Sequence, residues 1–559
     1  MPQNLECSKH REEPRAIIHP MLEDFSAEEA AEEILPPPEP SNANRQIARA
    51  AAIVMGAFVL SNLVGLVRQM LVMSTFGTTS VMDAYNAASR LPDLLFNLVA
   101  GGALGSAFIP VFTGLLAKEE RARAWRLASS IINLVTATLL ITSIIAGVLA
   151  GPIVRHVLAP GFSPSQQALT VSLLRILLVS PLIFGLSGLL MGILNAHQRF
   201  LLPALAPTMY WLGMIFGVLV WAPRYGIYGL AWGAVLGALL HMGVQIPGLL
   251  KLPGRRYLLT LGLDDPAVRE VGRLMAPRVL GVAIVQLNFW VNVVLASSQP
   301  EGSLSAIQNA WAVMTMPQVV IAQAIAIAAL PTFSAQVARG ELTAMRKSLA
   351  STLRSVALLS IPAMVGLILL RKPIIAVLFQ RGKFDAHSTE LVAWALLWYA
   401  LGLASHSFVE VISRAFYALH DTKTPVLVGS VAMSLNLAFS FAFVALFKSI
   451  GWMPHGGLAL ANTVATTLEM GGLLYMMRRR LGGLEGKHLW QGILQATVAS
   501  ALMGAAVEAI YRGLASLPLY AVVTVAIIGG VVAYSAVLAA MRVPEMGALW
   551  GAVWRRIGG

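Results

Sequence analysis

The sequence predicts an all-α polytopic membrane protein: about fourteen transmembrane helices, in two parallel-repeat six-helix lobes around a central cavity, with two further C-terminal helices. Three observations predict it. The 559 residues are 57% hydrophobic and only 12% charged, with a mean hydropathy of +0.72. Soluble proteins carry about 25% charged residues, and single cores stop growing beyond about 250–300 residues, so no soluble core could hide this much apolar surface. Apolar stretches of about 20 residues, enough to cross a bilayer, recur along the chain. Finally, the chain repeats itself at an offset of 221–222 residues. A soluble enzyme, a secreted disulfide scaffold and a nucleic-acid-binding module are thereby excluded. The net charge of +13 is what basic cytoplasmic loops give a membrane protein, so no nucleic-acid partner is expected. The single cysteine, Cys7, permits no intrachain disulfide and no zinc site.

Residues 1–44 differ from the rest. They hold ten acids against three bases and end in Pro36-Pro37-Pro38-Glu39-Pro40. High charge with little hydrophobicity predicts a disordered cytoplasmic extension, and no basic segment leads into an apolar one, so it does not read as a signal peptide.

Beyond the tail, apolar stretches broken by charge clusters and Pro/Gly turns place spans near 48–74, 84–113, 127–150, 167–194, 203–222, 227–250 and 274–298. The series continues near 303–335, 349–370, 389–417, 425–447, 455–477, 489–511 and 519–541. Residues 45–255 form the predicted N-lobe, 256–482 the C-lobe, and 483–559 the last two spans with a short tail. Lys118, Arg121, Arg123 and Arg126 fall on the side of the N-terminus, as do Arg255, Arg256, Arg269, Arg273, Arg339, Arg346, Lys347 and Arg478–Arg480. About 24 bases lie on that side against about 8 opposite, which places both termini in the cytoplasm.

The repeat superposes Ala107–Phe112 on Ala328–Phe333, Phe162 on Phe384 and Pro203 on Pro425. Six spans separate the copies, so both share one orientation and are related by an axis along the membrane normal. Duplicated lobes around a midplane site are the architecture of alternating-access transporters. External loops are short, about 5–18 residues on these span lengths, which leaves a glycan polymerase or ligase no room for its catalytic groups. No GxxxxGK[ST] phosphate loop occurs, so the chain is not itself an ATPase. No enzymatic activity and no cofactor are expected; a coupling ion or the membrane potential would supply the energy.

Several stretches resemble the MurJ (MviN) family of the multidrug/oligosaccharidyl-lipid/polysaccharide (MOP) exporter superfamily. They are Ser61-Asn62-Leu63-Val64-Gly65-Leu66-Val67-Arg68, Asp83–Leu95, Gly102–Pro110, Ala159-Pro160-Gly161-Phe162, Leu194–Phe200 and Arg414–Pro425. The resemblance covers about residues 45–540. It implies a flippase carrying lipid II, the undecaprenyl-pyrophosphate-linked peptidoglycan precursor, across the bacterial inner membrane, with cell-wall synthesis proteins as further partners. Another polyprenyl-linked glycan, or a non-transporting scaffold, is the alternative.

An anionic pyrophosphate crossing a low-dielectric layer needs a wet cavity with fixed cations, and arginine supplies a permanently charged fork for phosphate. Arg68, inside the first span, matches an arginine that the family places in its cavity and is the leading substrate-binding candidate. Arg90 and Asp93, i,i+3 on the second span, either line the cavity or pair with each other. Arg278, near the start of span seven, is the fourth candidate. Asp83, at the head of its helix, reads as an N-cap. Glu410 and Arg414 read as a structural i,i+4 pair; Arg175, Glu469, Glu508, His241 and His406 read as packing or interfacial groups. Gly213/Gly217 and Gly233/Gly237 read as helix-packing surfaces. Asn62, Phe96 and Ala312 stand where arginine is common in the family, which implies a cavity poorer in cations. Asn436, Ser440, Thr463 and Thr467 are the polar residues nearest to an ion site in family members, and no metal site is assigned to them.

Overall fold

The computed structural model describes residues 40–99 and 105–545. The acidic tail as far as residue 39 and the C-terminal residues from 546 lie outside the described residues, as do positions 100–104 within the Gly102–Pro110 motif. Two units are distinguished, Met1–Ala52 and Ile53–Gly559.

Helices occupy every predicted span. In chain order they are α1 (Pro40–Phe76), α2 (Ser80–Val99), α3 (Gly105–Ala117) and α4 (Arg121–Val148). Next come α5 (Pro164–Ala196), α6 (Leu201–Tyr225) and α7 (Ile227–Leu250). The second copy runs through α8 (Pro266–Ser297), α9 (Ser303–Ala338), α10 (Leu342–Phe379), α11 (Ala386–Leu401) and α12 (Leu403–Ala418). It ends in α13 (Lys423–Ser449) and α14 (His455–Arg480), followed by α15 (Gly486–Gly513) and α16 (Leu519–Ala540).

Among the described residues, ten of these helices are long and apolar enough to cross a membrane, or eleven if α11 and α12, bent by 47° at Gly402, count as one span. The predicted count of fourteen is therefore not reached by this measure. Three predicted spans fall outside this count: α8, whose side chains lie in part outside the described residues, and two others whose omission has a physical cause. The second predicted span carries Asp83, Arg90 and Asp93 on α2, and α14 carries Asn462, Thr463, Thr466, Thr467 and Glu469. Helices that face protein or a wet interior do not need uniform apolarity.

Close helix packing depends on glycine at the α6–α7 seam. A Cβ on Gly213 would lie 2.3 Å from the Cα of Gly237, and one on Gly217 would lie 2.5 Å from Gly233. The two backbones touch, as the small-residue spacing predicts. In the second lobe α13 packs along α14, and α10 receives α15, while α16 packs on α15. Tyr534 of α16 donates a 2.6 Å hydrogen bond to the Leu358 carbonyl, so the appended helices are bonded to the C-lobe.

Buried apolar residues form one continuous cluster that runs through the first lobe and takes in parts of the second, among them Val268, Val271, Ala306–Met314 and Ile375–Leu403. A separate cluster, including Phe333, Leu349, Leu353, Ile412 and Met477, lies within the second lobe and its appended helices.

Candidate functional site: an intramembrane cation between the lobes

Arg68 lies midway along the apolar part of α1, half-buried. Its guanidinium carbon sits 4.6 Å from the centre of the Trp211 ring on α6, a cation–π contact. Gly65, one turn earlier, lets the indole in: a Cβ there would be 3.3 Å from Trp211 Nε1. Tyr85 and Tyr210 lie within electrostatic range of the guanidinium. The Arg68 Nε is buried without a hydrogen-bond partner. An aromatic face stabilises the cation but satisfies no N–H.

Asp93 on α2 is accessible, and its electrostatic neighbours are Arg90, Tyr85 and Tyr210. Arg90, in turn, lies in range of Tyr399 on α11 of the second lobe. The structure therefore brings three of the four predicted residues, Arg68, Arg90 and Asp93, into one neighbourhood between the lobes. For Arg278 it places the backbone on α8; the side chain lies outside the described residues. Tyr85, Tyr210, Trp211 and Tyr399 were not singled out in the sequence, where aromatics in apolar helices look like ordinary core.

Two of the positions that lack the family's arginine have other employment. Phe96 packs against Phe184 with centroids 5.0 Å apart, and Phe184 against Tyr210 at 5.1 Å, extending the aromatic wall. Asn62 donates to the Phe58 carbonyl of its own helix at 2.8 Å. At the third, Ala312 neighbours Trp311, whose ring meets Tyr399 at 5.2 Å and His406 at 5.3 Å.

The lobes are latched at the end away from the basic loops. The Asp83 carboxylate accepts from Gly302 N (2.8 Å), Ser305 N (2.7 Å) and Ser305 Oγ (2.5 Å). Asp83 is thus a cap, as its position suggested, but it caps α9 of the other lobe rather than its own helix. The helix it belongs to is served in return: Ser80 N, at the start of α2, donates to Glu301 Oε1 at 2.7 Å. Each carboxylate meets the partial positive charge of a helix N-terminus across the lobe boundary. Asn86 Nδ2 to Ser305 Oγ (3.0 Å), Thr78 Oγ1 to Ser388 Oγ (2.9 Å) and Lys383 N to the Ser74 carbonyl (2.8 Å) complete the seam. Farther into the interior, the Gln69 amide donates to Asn309 Oδ1.

Many of the remaining polar residues of the spans are partnered within the protein. Arg414 bonds Glu410 at 2.5 Å and Arg512 bonds Glu508 at 2.7 Å. His241 pairs with Ser187 at 2.7 Å, His406 with Asn462 at 3.1 Å, and Arg175 with the Gly147 carbonyl at 3.1 Å. Ser440 donates to Asn436 at 3.2 Å, while the hydroxyls of Thr463 and Thr467 bond backbone carbonyls at 2.7 Å.

The family model described as lipid II flippase MurJ matches residues 72–534. The chain belongs to the MurJ family. A lipid II flippase MurJ from Burkholderia cenocepacia is 30% identical over 465 residues, covering 81% of this chain and 88% of that protein. A probable lipid II flippase MurJ from Synechocystis sp. is 30% identical over 454 residues, 79% of this chain and 83% of that one. Among solved structures, one described as lipid II flippase MurJ in an inward closed conformation superposes with a TM-score of 0.75 at 24% identity, covering 88% of this chain and 98% of the other. An inward-facing multidrug resistance MATE transporter of the MOP superfamily superposes with a TM-score of 0.64 at 15% identity, covering 78% and 99%. The MurJ fold and the MOP architecture are thus shared, and the chain is a multi-pass membrane protein of a transporter family.

Proposed function

We propose that this MurJ-family protein is a flippase that moves lipid II from the cytoplasmic to the external leaflet of the bacterial inner membrane by alternating access. The observation that carries the reading is Arg68: a permanent cation inside the membrane, held on an aromatic face in the same neighbourhood as Arg90 and Asp93. The family match begins past Arg68, so that residue's role rests on its geometry and on the motif around it.

The basic loops set the orientation, with both termini in the cytoplasm. The lobes are latched at the external end, the arrangement of a carrier whose site opens inward. A pyrophosphate entering from the cytoplasm trades water for the Arg68 guanidinium and the tyrosine hydroxyls of Tyr85, Tyr210 and Tyr399. Release outward requires the external latch to break: Asp83 gives up three donors and Glu301 one. The energy comes from a coupling ion or the membrane potential. Cell-wall synthesis proteins, which make and consume this lipid, are the functional partners. The chain itself performs no covalent chemistry in this scheme.

A second reading, a different polyprenyl-linked glycan as cargo, is favoured by the aromatic filling at Phe96 and the missing cation at Ala312, which leave fewer charges for the head group. Both readings are tested by expressing the protein in a strain depleted of its resident lipid II flippase. Lipid II transport predicts rescue of growth that Arg68→Ala abolishes while membrane levels stay constant. Failure to rescue by a well-inserted protein contradicts it and favours the other cargo.

A further inference from the structure

The segment joining the lobes, residues 251–265, runs as an extended strap along α4. Irregular backbone exposed to lipid is costly unless its polar groups are satisfied within the protein, and here α4 satisfies them. Ser129 Oγ accepts from Leu258 N at 3.1 Å, and Asn133 Nδ2 donates to the carbonyls of Leu258 (3.0 Å) and Thr260 (2.8 Å). Tyr257 Oη donates to Asn133 Oδ1 at 2.6 Å. Gly262, at φ +57°, brings the strap onto the helix; a Cβ there would stand 2.3 Å from Ser130 Oγ.

The stripe of α4 that the strap covers is the lipid-facing one. Asn133 continues at helical spacing into Leu140, Ile141, Ile144 and Val148, all exposed. From Ser129 to Val148 the helix rises about 28 Å, close to the ~30 Å hydrocarbon thickness. With Val148 at one boundary, the strap therefore sits at the other. The strap exposes large apolar side chains, Leu259 at 90%, Tyr257 at 63% and Leu263 at 58%, with one exposed acid, Asp264, at its α8 end. They are flanked by exposed Lys251, Arg255 and Arg256. A water-facing loop has no use for such leucines, whereas a surface with an apolar edge and a basic rim matches an anionic bilayer interface.

We propose that this inter-lobe strap is a membrane-interface anchor, with Leu259 and its neighbours inserted at the edge of the hydrocarbon and Arg255 and Arg256 bound to phosphates of acidic phospholipids in the leaflet at the basic end. It is a lipid contact separate from the Arg68 site and independent of the transported cargo. The anchor fixes the depth of the only covalent link between the two lobes, so that they rock about a point held in the lipid headgroup layer.

The test uses the full-length protein in proteoliposomes, with Leu259→Cys in a Cys7→Ser background carrying a bimane label. Ile144→Cys serves as the lipid-facing control and Lys118→Cys as the aqueous one. The anchor predicts quenching at position 259 by nitroxide-labelled lipid comparable to that at 144, and iodide quenching about fivefold weaker than at 118. Replacing phosphatidylcholine by phosphatidylglycerol deepens the lipid quenching, and Arg255→Gln with Arg256→Gln removes that increment. Iodide quenching at 259 equal to that at 118 overturns insertion. Lipid quenching indifferent to phosphatidylglycerol overturns the phosphate contact.

Discussion

Asp83 binds Ser305, 222 positions later on the other lobe, through both the amide (2.7 Å) and the hydroxyl (2.5 Å). The external latch has two halves that face each other across the lobe boundary: Asp83 on the N-terminus of α9 and Glu301 on the N-terminus of α2.

Removing Asp83 should loosen that latch. Each hydrogen bond to a charged group is worth about 1.5–3 kcal/mol, and about 1.4 kcal/mol shifts an equilibrium tenfold. Asp83→Ala is expected to raise outward-open populations by at least tenfold. A cysteine at Asn86, in a Cys7→Ser background, should become labelled by an impermeant maleimide from the external side. Unchanged labelling would show that the seam does not hold the lobes.

Gly65 sets the position of Trp211, and through it Arg68. Gly65→Val places branched carbons against an indole already 3.3 Å from the Cβ position, so the ring must move. Transport is expected to fall several-fold with little loss of stability, because overpacking at one side chain costs about 1–3 kcal/mol. Trp211→Ala should reproduce the transport loss. Transport rates in both variants, normalised to membrane protein, check this.

The α6–α7 seam is purely structural. Gly213→Leu drives a side chain into the Gly237 backbone, 2.3 Å away at Cβ. The detergent-solubilised protein should lose several kcal/mol of stability, read as a large fall in unfolding temperature. Gly243→Ala, where a Cβ meets nothing, should leave it unchanged.

Asp421 opens α13 at the basic end. It accepts from Thr424 N (3.0 Å), Thr424 Oγ1 (2.8 Å) and Arg480 (2.8 Å). Its backbone bond to Thr424, then the Thr424 hydroxyl and the Arg480 charge, hold its pKa below the ordinary carboxylate value. A carboxyl depressed in the folded state adds stability above its unfolded pKa, near 4, and that stability is lost as pH falls through the lower folded value. Unfolding temperature measured from pH 6 to pH 3 should therefore drop more for the wild type than for Asp421→Ala.

The limits of sequence reading follow from the same residues. The place of Arg68 within an apolar helix was legible from the hydropathy pattern around it, and the glycine pairs because their spacing encodes contact. The partner of Asp83 was not legible from helix periodicity, which specifies a helix's own start but not which neighbouring N-terminus a side chain reaches. Tyr85, Tyr210 and Trp211 escaped notice because apolar packing and a cavity wall draw on the same residue types. The apolarity criterion counts fewer spans than the sequence reading because it passes over α2 and α14, whose polar groups hydropathy penalises.

The most direct measurement is the amount of lipid II accessible to an impermeant label on intact cells depleted of their resident flippase and expressing this protein, Arg68→Ala or Arg68→Lys. Lipid II should be exposed by the wild type, fall at least tenfold with Arg68→Ala, and recover only in part with Arg68→Lys, which keeps the charge without the planar fork. Equal exposure in all three, at equal membrane levels, would contradict a role for the Arg68 cation in carrying the head group.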